Sequence, residues 1–437
     1  MNMMSVWDAF EKTRILHGGR PAVTTQHGSS LSYNELHAAV TSATEGEARS
    51  EESRPPIALT ASITQRCIID CWRAFQRGGI VLPVPDHPLR HPPVPSCLTK
   101  QDGAIACIIE TSGSTGRPKA VRLSHSNLLY SATAVSARLH FGPEDRWLLS
   151  LPPFHIGGFS ILIRCAVSGG SVVIPDGIDR PSLYRTIVEQ GVTHLSLVPA
   201  MVPELLACGP LPSSLRVILL GGQAVDAHLR QLLAPIADRI VLSYGATETS
   251  GMIASGSLTS LAPHPLGVGT PLPDIQVSTL TDGRLRITGP AVALGYDDGT
   301  DFTGQCYDTP DTGSLCPDGT LCIEGRLDDV INTGGKKIAP ITIQNAVAQL
   351  GYQQTTVVVK GQHRIWGESP LLIIEGNLTS EELTLLEQQL RELLPAYAVP
   401  KACVLVPVLP RIGIGKINRE AVRQLPTVIE ALEALRR

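Results

Sequence analysis

The chain has 437 residues, more than one hydrophobic core usually serves, so two or more domains are expected. Thirty-six basic against 40 acidic side chains give a formal charge of -4, aromatics are only 4%, and no basic stripe is interleaved with them, which argues against a nucleic-acid partner. The opening MNMMSVWDAFEKTR has no apolar core of a secretory signal and nothing reaches the roughly 18 apolar residues of a membrane span, so a cytosolic protein without membrane insertion is expected.

Residues 46–56, GEARSEESRPP, form a polar connector, followed by a strand in IALTAS, a helix in CIIDCWRAFQRGG ending on Gly78, and a second strand in IVLPV. PDHPLRHPPVPS carries five prolines in twelve positions, which forbids regular structure and predicts a rigid extended connector. Strand-like and helix-like runs then alternate: AIACIIE, the helix after SHSN, RWLLSL, residues 158–168, SVVIP, SLYRTIVEQG, HLSLVP, RVILLGG, HLRQLLAPI and RIVLSYG. Such alternation predicts βαβ units around a largely parallel sheet, with ligands beyond the carboxyl ends of the strands. From about residue 267 short strands with Gly and Asp turns take over, and after GRLDD a distinct C-terminal portion holds TTVVVKG, SPLLIIEG, ACVLVPVL and one clean helix. In that helix Thr379 and Glu382 form a capping box and Leu383, Leu386, Leu390 and Leu393 share one face, a core stripe. The ten cysteines are scattered, the close pair Cys67 and Cys71 lacks C-x-x-C spacing, and all are read as packing thiols in a reducing compartment.

TSGSTGRPK, residues 111–119, follows the strand AIACIIE and reads either as an ordinary surface turn or as a phosphate cradle. In a cradle, the N–H groups around Gly113 and Gly116 converge on phosphate oxygens, Ser112, Ser114 and Thr115 add hydroxyls, and Lys119 adds a point charge. Pro118 before the lysine departs from the Walker A pattern, so this would be a nucleotide loop of another type. YGATE at 244–248 offers the Tyr244 ring for adenine, Gly245, the Thr247 hydroxyl and the Glu248 carboxylate for magnesium. Asp311 and Arg326 fit ribose hydroxyls, an ion pair or turn residues. His155 after LPPF is a structural histidine or a site residue, and Lys416 in PRIGIGKINR is a solvated lysine or a charge held over a transition state.

TSGSTGRPK, YGATE, YDTPDTG, GRLDD, NTGGKKIAP and GKINR, spanning residues 111–419, occur in the order found in the adenylate-forming superfamily of acyl-CoA synthetases, adenylation domains and luciferases, which the chain resembles. The resemblance implies an α/β fold: a large N-terminal domain (1–326) of layered, partly parallel sheets with flanking helices and a short-strand subdomain, and a small mobile α+β C-terminal domain (327–437) hinged near Asp328. It further implies ATP and Mg²⁺, with coenzyme A as co-substrate. Ser112 to Gly116 and Lys119 would hold phosphates; Gly222, Gln223, Tyr244, Gly245 and Thr247 the adenine side; Asp311 and Arg326 the ribose; Glu248 with Thr115 the metal. Lys416, His155, Thr115 and Glu248 would be catalytic. A carboxylate would attack the α-phosphate of ATP, and the small domain would then rotate, withdraw Lys416 and present NTGGKK to the thiol. Departures are Pro310 where the family often has glycine, and GGKKIAPITIQ in place of a more acidic segment, which touches the acceptor face more than adenylation.

Within the superfamily the chain is most similar to the 2-succinylbenzoate–CoA ligases, through LLSLPPFHIGGFSILIRCAVSGG, THLSLVPAMVPELL and LRVILLGGQAV. A dicarboxylic acid requires a cation or strong donors, and Arg164, alone in an apolar run, either faces a protein carboxylate or serves the ligand. His155, Arg164, Ser196 and Gly221 are the expected acid-binding residues; Gly157 stands where the family more often has serine. The alternatives are another aryl- or acyl-CoA synthetase and an enzyme that loads a carrier protein. The expected partners are thus a small carboxylic acid, ATP and CoA, with a homodimer left open.

Overall fold

The computed structural model describes residues 4–42, 57–85, 104–111, 119–412 and 416–436. The predicted polar connector and most of the proline-rich segment lie outside the described residues, as do Ser112, Gly113, Ser114, Thr115 and Gly116. No described helix is long and apolar enough to cross a membrane.

A 13-stranded sheet forms the backbone of the larger part. Strands Pro21–Thr25, Ser171–Ile174, Arg146–Leu148, His194–Leu197, Val217–Leu220 and Ile240–Ala246 lie side by side in parallel. Their apolar runs suit strands covered on both faces. From Gly251–Ser257 onward every neighbour is antiparallel, through Gly267–Pro271, Leu321–Arg326, Cys306–Leu315, Arg284–Thr288 and Gln276–Thr279. The sheet is therefore mixed: past Ala246 a tight connection replaces the helical crossovers of the parallel strands, and at the opposite edge Ser30–Ser32 pairs antiparallel with Pro21–Thr25.

A five-stranded sheet stands beside it, with Ile57–Thr60, Val81–Val84 and Ile105–Thr111 parallel, and Lys119–Ser124 and Gly295–Tyr296 antiparallel. Helices His125–Leu139 and Ile156–Ser168 pack between the sheets; Phe159, Leu162 and Val135 are within 2% of full burial. Each such side chain contributes about 1.5–3 kcal/mol.

Residues beyond Ile331 build their own sheet, in which Gly367–Glu375 is flanked by Thr356–His363 and Ala402–Val406. Two apolar clusters, around Leu386 and Leu390 on one face and Leu371, Ile373 and Val422 on the other, draw only on residues from 331 onward among those described. The helix Ser380–Leu393 has the expected capping box, Thr379 Oγ1 accepting from Glu382 N–H at 3.2 Å. Leu393 is 40% exposed, whereas Leu394, just past the helix, is buried. The 3.6-residue period carries the buried stripe from Leu386 and Leu390 on to position 394, which takes the place assigned to Leu393.

Between the two parts, the single turn Leu327–Asp329 links Arg326 to the strand Ile331–Thr333. Arg419 lies 3.6 Å from Asp329, and Asn345 Oδ1 accepts the Ala227 N–H at 3.2 Å.

Candidate active site

Part of the described motif residues lies where the parallel strands end. Tyr244 and Gly245 occupy the carboxyl end of Ile240–Ala246, Glu248 the single turn Thr247–Thr249, and Gly221, Gly222 and Gln223 the loop after Val217–Leu220. Gly245 is required by packing: a Cβ there would lie 1.9 Å from the Gly251 carbonyl oxygen on the antiparallel neighbour. Gly222 has φ +77°, which a side chain rarely adopts.

The turn that carries Glu248 is locked from below. Thr249 Oγ1 accepts the Ala246 N–H at 2.9 Å, and the buried Ser250 hydroxyl donates to Ala291 O at 2.7 Å. Ala293 N–H donates to Glu248 O at 2.9 Å, bringing the segment around Tyr296 alongside. Tyr296 O–H donates to Glu248 Oε1 at 2.9 Å, and the Lys119 ammonium lies 4.5 Å over the same ring. One tyrosine thus brings together the lysine and the glutamate of two separate motifs. Burial, then the Glu248 charge, hold the Tyr296 hydroxyl well above its ordinary range, so it remains a donor. Thr111 and Lys119 are cross-strand partners, so the two ends of segment 112–118 are held together.

On the other side, Tyr244 O–H donates to Asp311 Oδ2 at 2.7 Å, and Asp311 is the register partner of Arg326. Burial raises the Asp311 carboxyl above its usual range, while the Tyr244 hydrogen bond and the Arg326 charge oppose it. Tyr244 is itself raised, by burial first and then by the Asp311 charge. The Arg326 guanidinium is partly exposed, 3.9 Å from Asp328, and so retains donors for a ligand.

Two acceptor groups, Asp311 and Glu248, thus flank Tyr244 beyond the strand ends, and Lys119 adds a cation beside them. Residues 82–297 match the family described as AMP-binding enzyme. Relatives named 2-succinylbenzoate–CoA ligase are 31% identical: the protein of Bacillus cereus strain Q1 over 337 residues, 73% of this chain and 69% of the relative, and that of Bacillus cytotoxicus over 355 residues, 76% and 73%.

The chain belongs to the AMP-binding enzyme family.

Its fold is also that of the o-succinylbenzoate CoA synthetase of Bacillus subtilis solved with the acyl-adenylate OSB-AMP: TM-score 0.82, 22% identity, covering 97% of this chain and 99% of that one. The α/β architecture expected from the sequence is the one found.

In this AMP-binding enzyme Arg164 is 2% exposed on the helix Ile156–Ser168. Its guanidinium stacks 4.3 Å over Trp147, and Nη2 donates to Ser160 Oγ at 3.3 Å. Nε and Nη1 are buried without a hydrogen-bond partner, and among the described residues no carboxylate forms an ion pair with it. Burial lowers its pKa to about 10. Trp147 Nε1 in turn donates to the buried Ser196 Oγ at 3.1 Å, so Trp147 joins Arg164 to Ser196. His155 is exposed at the N-cap of the same helix, and the neighbouring Ile156 lies against Gly251, just past the Glu248 turn.

Lys416 lies in a short ribbon, its backbone paired with Ile412. The ribbon is anchored by Arg411, whose Nη1 and Nη2 donate to Glu375 at 2.8 and 2.6 Å. Tyr296, Trp147, Thr249 and Glu375 carry no motif signature.

Proposed function

We propose that this enzyme is an ATP-dependent 2-succinylbenzoate–CoA ligase of the cytoplasm, which forms acyl-AMP and pyrophosphate and then acyl-CoA and AMP. The observation that carries the choice of acid is the 31% identity to relatives of that name over about three quarters of the chain. Arg164 supports it physically: a buried guanidinium with two unpaired donors suits the second carboxylate of a dicarboxylic acid. Ser196, His155 and Gly221 complete the proposed acid site.

Tyr244 with Gly222, Gln223, Gly245 and Thr247 would hold adenine, Asp311 and Arg326 the ribose, and Lys119 with residues 112–116 the phosphates. Glu248 fits a magnesium ion, because it is a half-buried carboxylate whose one described hydrogen bond leaves lone pairs for a hard cation; Thr115 would be its companion. When bound, magnesium supplies charge neutralisation on the phosphates. Lys416 would stabilise charge on the α-phosphate as the acid carboxylate attacks. The division at 326/327 would let residues 327–437 turn about Asp328 between adenylation and thioester formation.

A second reading, transfer to a carrier protein, has one observation in its favour. Lys336 and Lys337 are exposed on a hairpin whose Gly334 N–H bonds Trp366 O, and Ile365 and Trp366 are 69% and 48% exposed beside it. Acid-dependent AMP release with 2-succinylbenzoate, with and without free CoA, tests both readings. The proposal predicts that free CoA is consumed to the thioester, and adenylate that accumulates without reaching CoA contradicts it.

A further inference from the structure

We propose that His264, Cys316 and Cys322 form a binding site for zinc or a similar borderline-soft divalent cation, with Asp318 positioning the imidazole. One ligand atom from each of the three residues lies within 4.8 Å of the others, and each residue is half-buried. Cys316 comes from the turn joining Cys306–Leu315 to Leu321–Arg326, and Cys322 from the start of the second strand. Pairing ends at Leu315 and Leu321, and Cys316 N–H then donates to Thr320 O at 2.8 Å, which leaves the two Sγ atoms 3.1 Å apart. The histidine comes from the segment after Gly251–Ser257, fixed by the bonds Gly267 N–H to His264 O and His264 N–H to Leu261 O, both 2.9 Å.

This donor set suits zinc in kind and number. Two sulfurs and one imidazole at about 2.0–2.3 Å leave a fourth, tetrahedral position for water, and tetrahedral geometry sets sulfurs roughly 3.8 Å apart, a small opening of the present pair. Asp318 Oδ2 lies 2.7 Å from His264 Nε2, while its Oδ1 accepts the Thr320 N–H at 2.9 Å. A carboxylate fixed in this way and bonded to one ring nitrogen orients the other toward a metal. Binding releases the two S–H protons to solvent, and the thiolates balance the dication. Arg230, donating to Gly267 O at 3.0 Å, adds a positive charge near Cys322, the register partner of Gly267. The site ties the 258–266 segment to the hairpin that carries Asp311 and Arg326.

The test uses the full-length protein, reduced with a phosphine, stripped with a chelator and dialysed against zinc, then separately titrated with cobalt(II). Stoichiometric retained zinc, a thiolate-to-cobalt charge-transfer band and a zinc-dependent rise in melting temperature are expected. C316S/C322S should lose the band, and D318N should bind zinc about 10- to 100-fold more weakly. H264Q and D318N, both changes at partly exposed side chains, carry the test if the double variant does not fold. Zinc retained equally by wild type and H264Q, or no charge-transfer band in reduced wild-type protein, would overturn the proposal. A Cys316–Cys322 disulfide that persists through phosphine reduction would do the same.

Discussion

Tyr244→Phe isolates one hydrogen bond. The ring, and any stacking on adenine, is kept, while the hydroxyl that donates to Asp311 Oδ2 at 2.7 Å is removed. A hydrogen bond to a charged group contributes about 1.5–3 kcal/mol. With about 1.4 kcal/mol per factor of ten, KM for ATP should rise between about 10- and 100-fold if the Asp311 carboxylate holds the ribose. The pH dependence should change as well. The Tyr244 bond opposes the burial that raises Asp311, so its loss raises Asp311 further and moves the acid limb of kcat/KM for ATP to higher pH. Stability follows the same direction. Because Asp311 in the folded protein titrates above its unfolded value, its contribution is fully present below the unfolded carboxylate range and is lost as pH rises through the folded value. In the variant that loss should occur at higher pH. Steady-state kinetics and urea unfolding across the acid range are the assays. An unchanged KM with an unmoved acid limb would refute the link between Tyr244, Asp311 and nucleotide.

Arg164→Met should leave stability unchanged or raise it by about 1–4 kcal/mol, since a buried charge with unpaired donors is exchanged for an apolar chain; urea denaturation checks this. The same variant should lose turnover of 2-succinylbenzoate but not of a monocarboxylic acid, and equal losses would remove Arg164 from the acid site. Lys416→Ala should slow acyl-AMP formation by about 10²–10³-fold, while preformed acyl-AMP is still converted to thioester in single-turnover assays. Gly245→Ala drives a methyl group into the Gly251 carbonyl and should destabilise the fold and abolish ATP-dependent activity together, as thermal melting and AMP release would report.

The motif segments and the strands of the parallel half could be read from sequence because short apolar runs, each closed by Gly, Pro or Asp, leave little else for the backbone to do. The helix Ile156–Ser168 was equally legible, as a largely apolar run whose one charged residue is Arg164. Relations across the sheet were not. Tyr296 reaches Glu248 from 48 residues away, and nothing local marks a tyrosine as the hydroxyl that will orient a carboxylate. Trp147 reads as core in sequence, yet its ring and N–H join Arg164 to Ser196. The cysteines were read by spacing in the chain, whereas Cys316 and Cys322 meet through an antiparallel turn and acquire His264 from an earlier strand connection. Leu393 illustrates a smaller limit: periodicity places a stripe to within one residue, and the end of the helix decides which leucine is covered.

The most direct test is formation of AMP and acyl-CoA by the purified protein with ATP, Mg²⁺ and CoA, comparing 2-succinylbenzoate with benzoate, a medium-chain fatty acid and an amino acid. Selective turnover of 2-succinylbenzoate, with AMP and its CoA thioester formed in equal amounts, is the predicted result. Turnover of one of the other acids with none of 2-succinylbenzoate would contradict the assigned substrate, and ATP cleavage to ADP in place of AMP would contradict the adenylating chemistry itself.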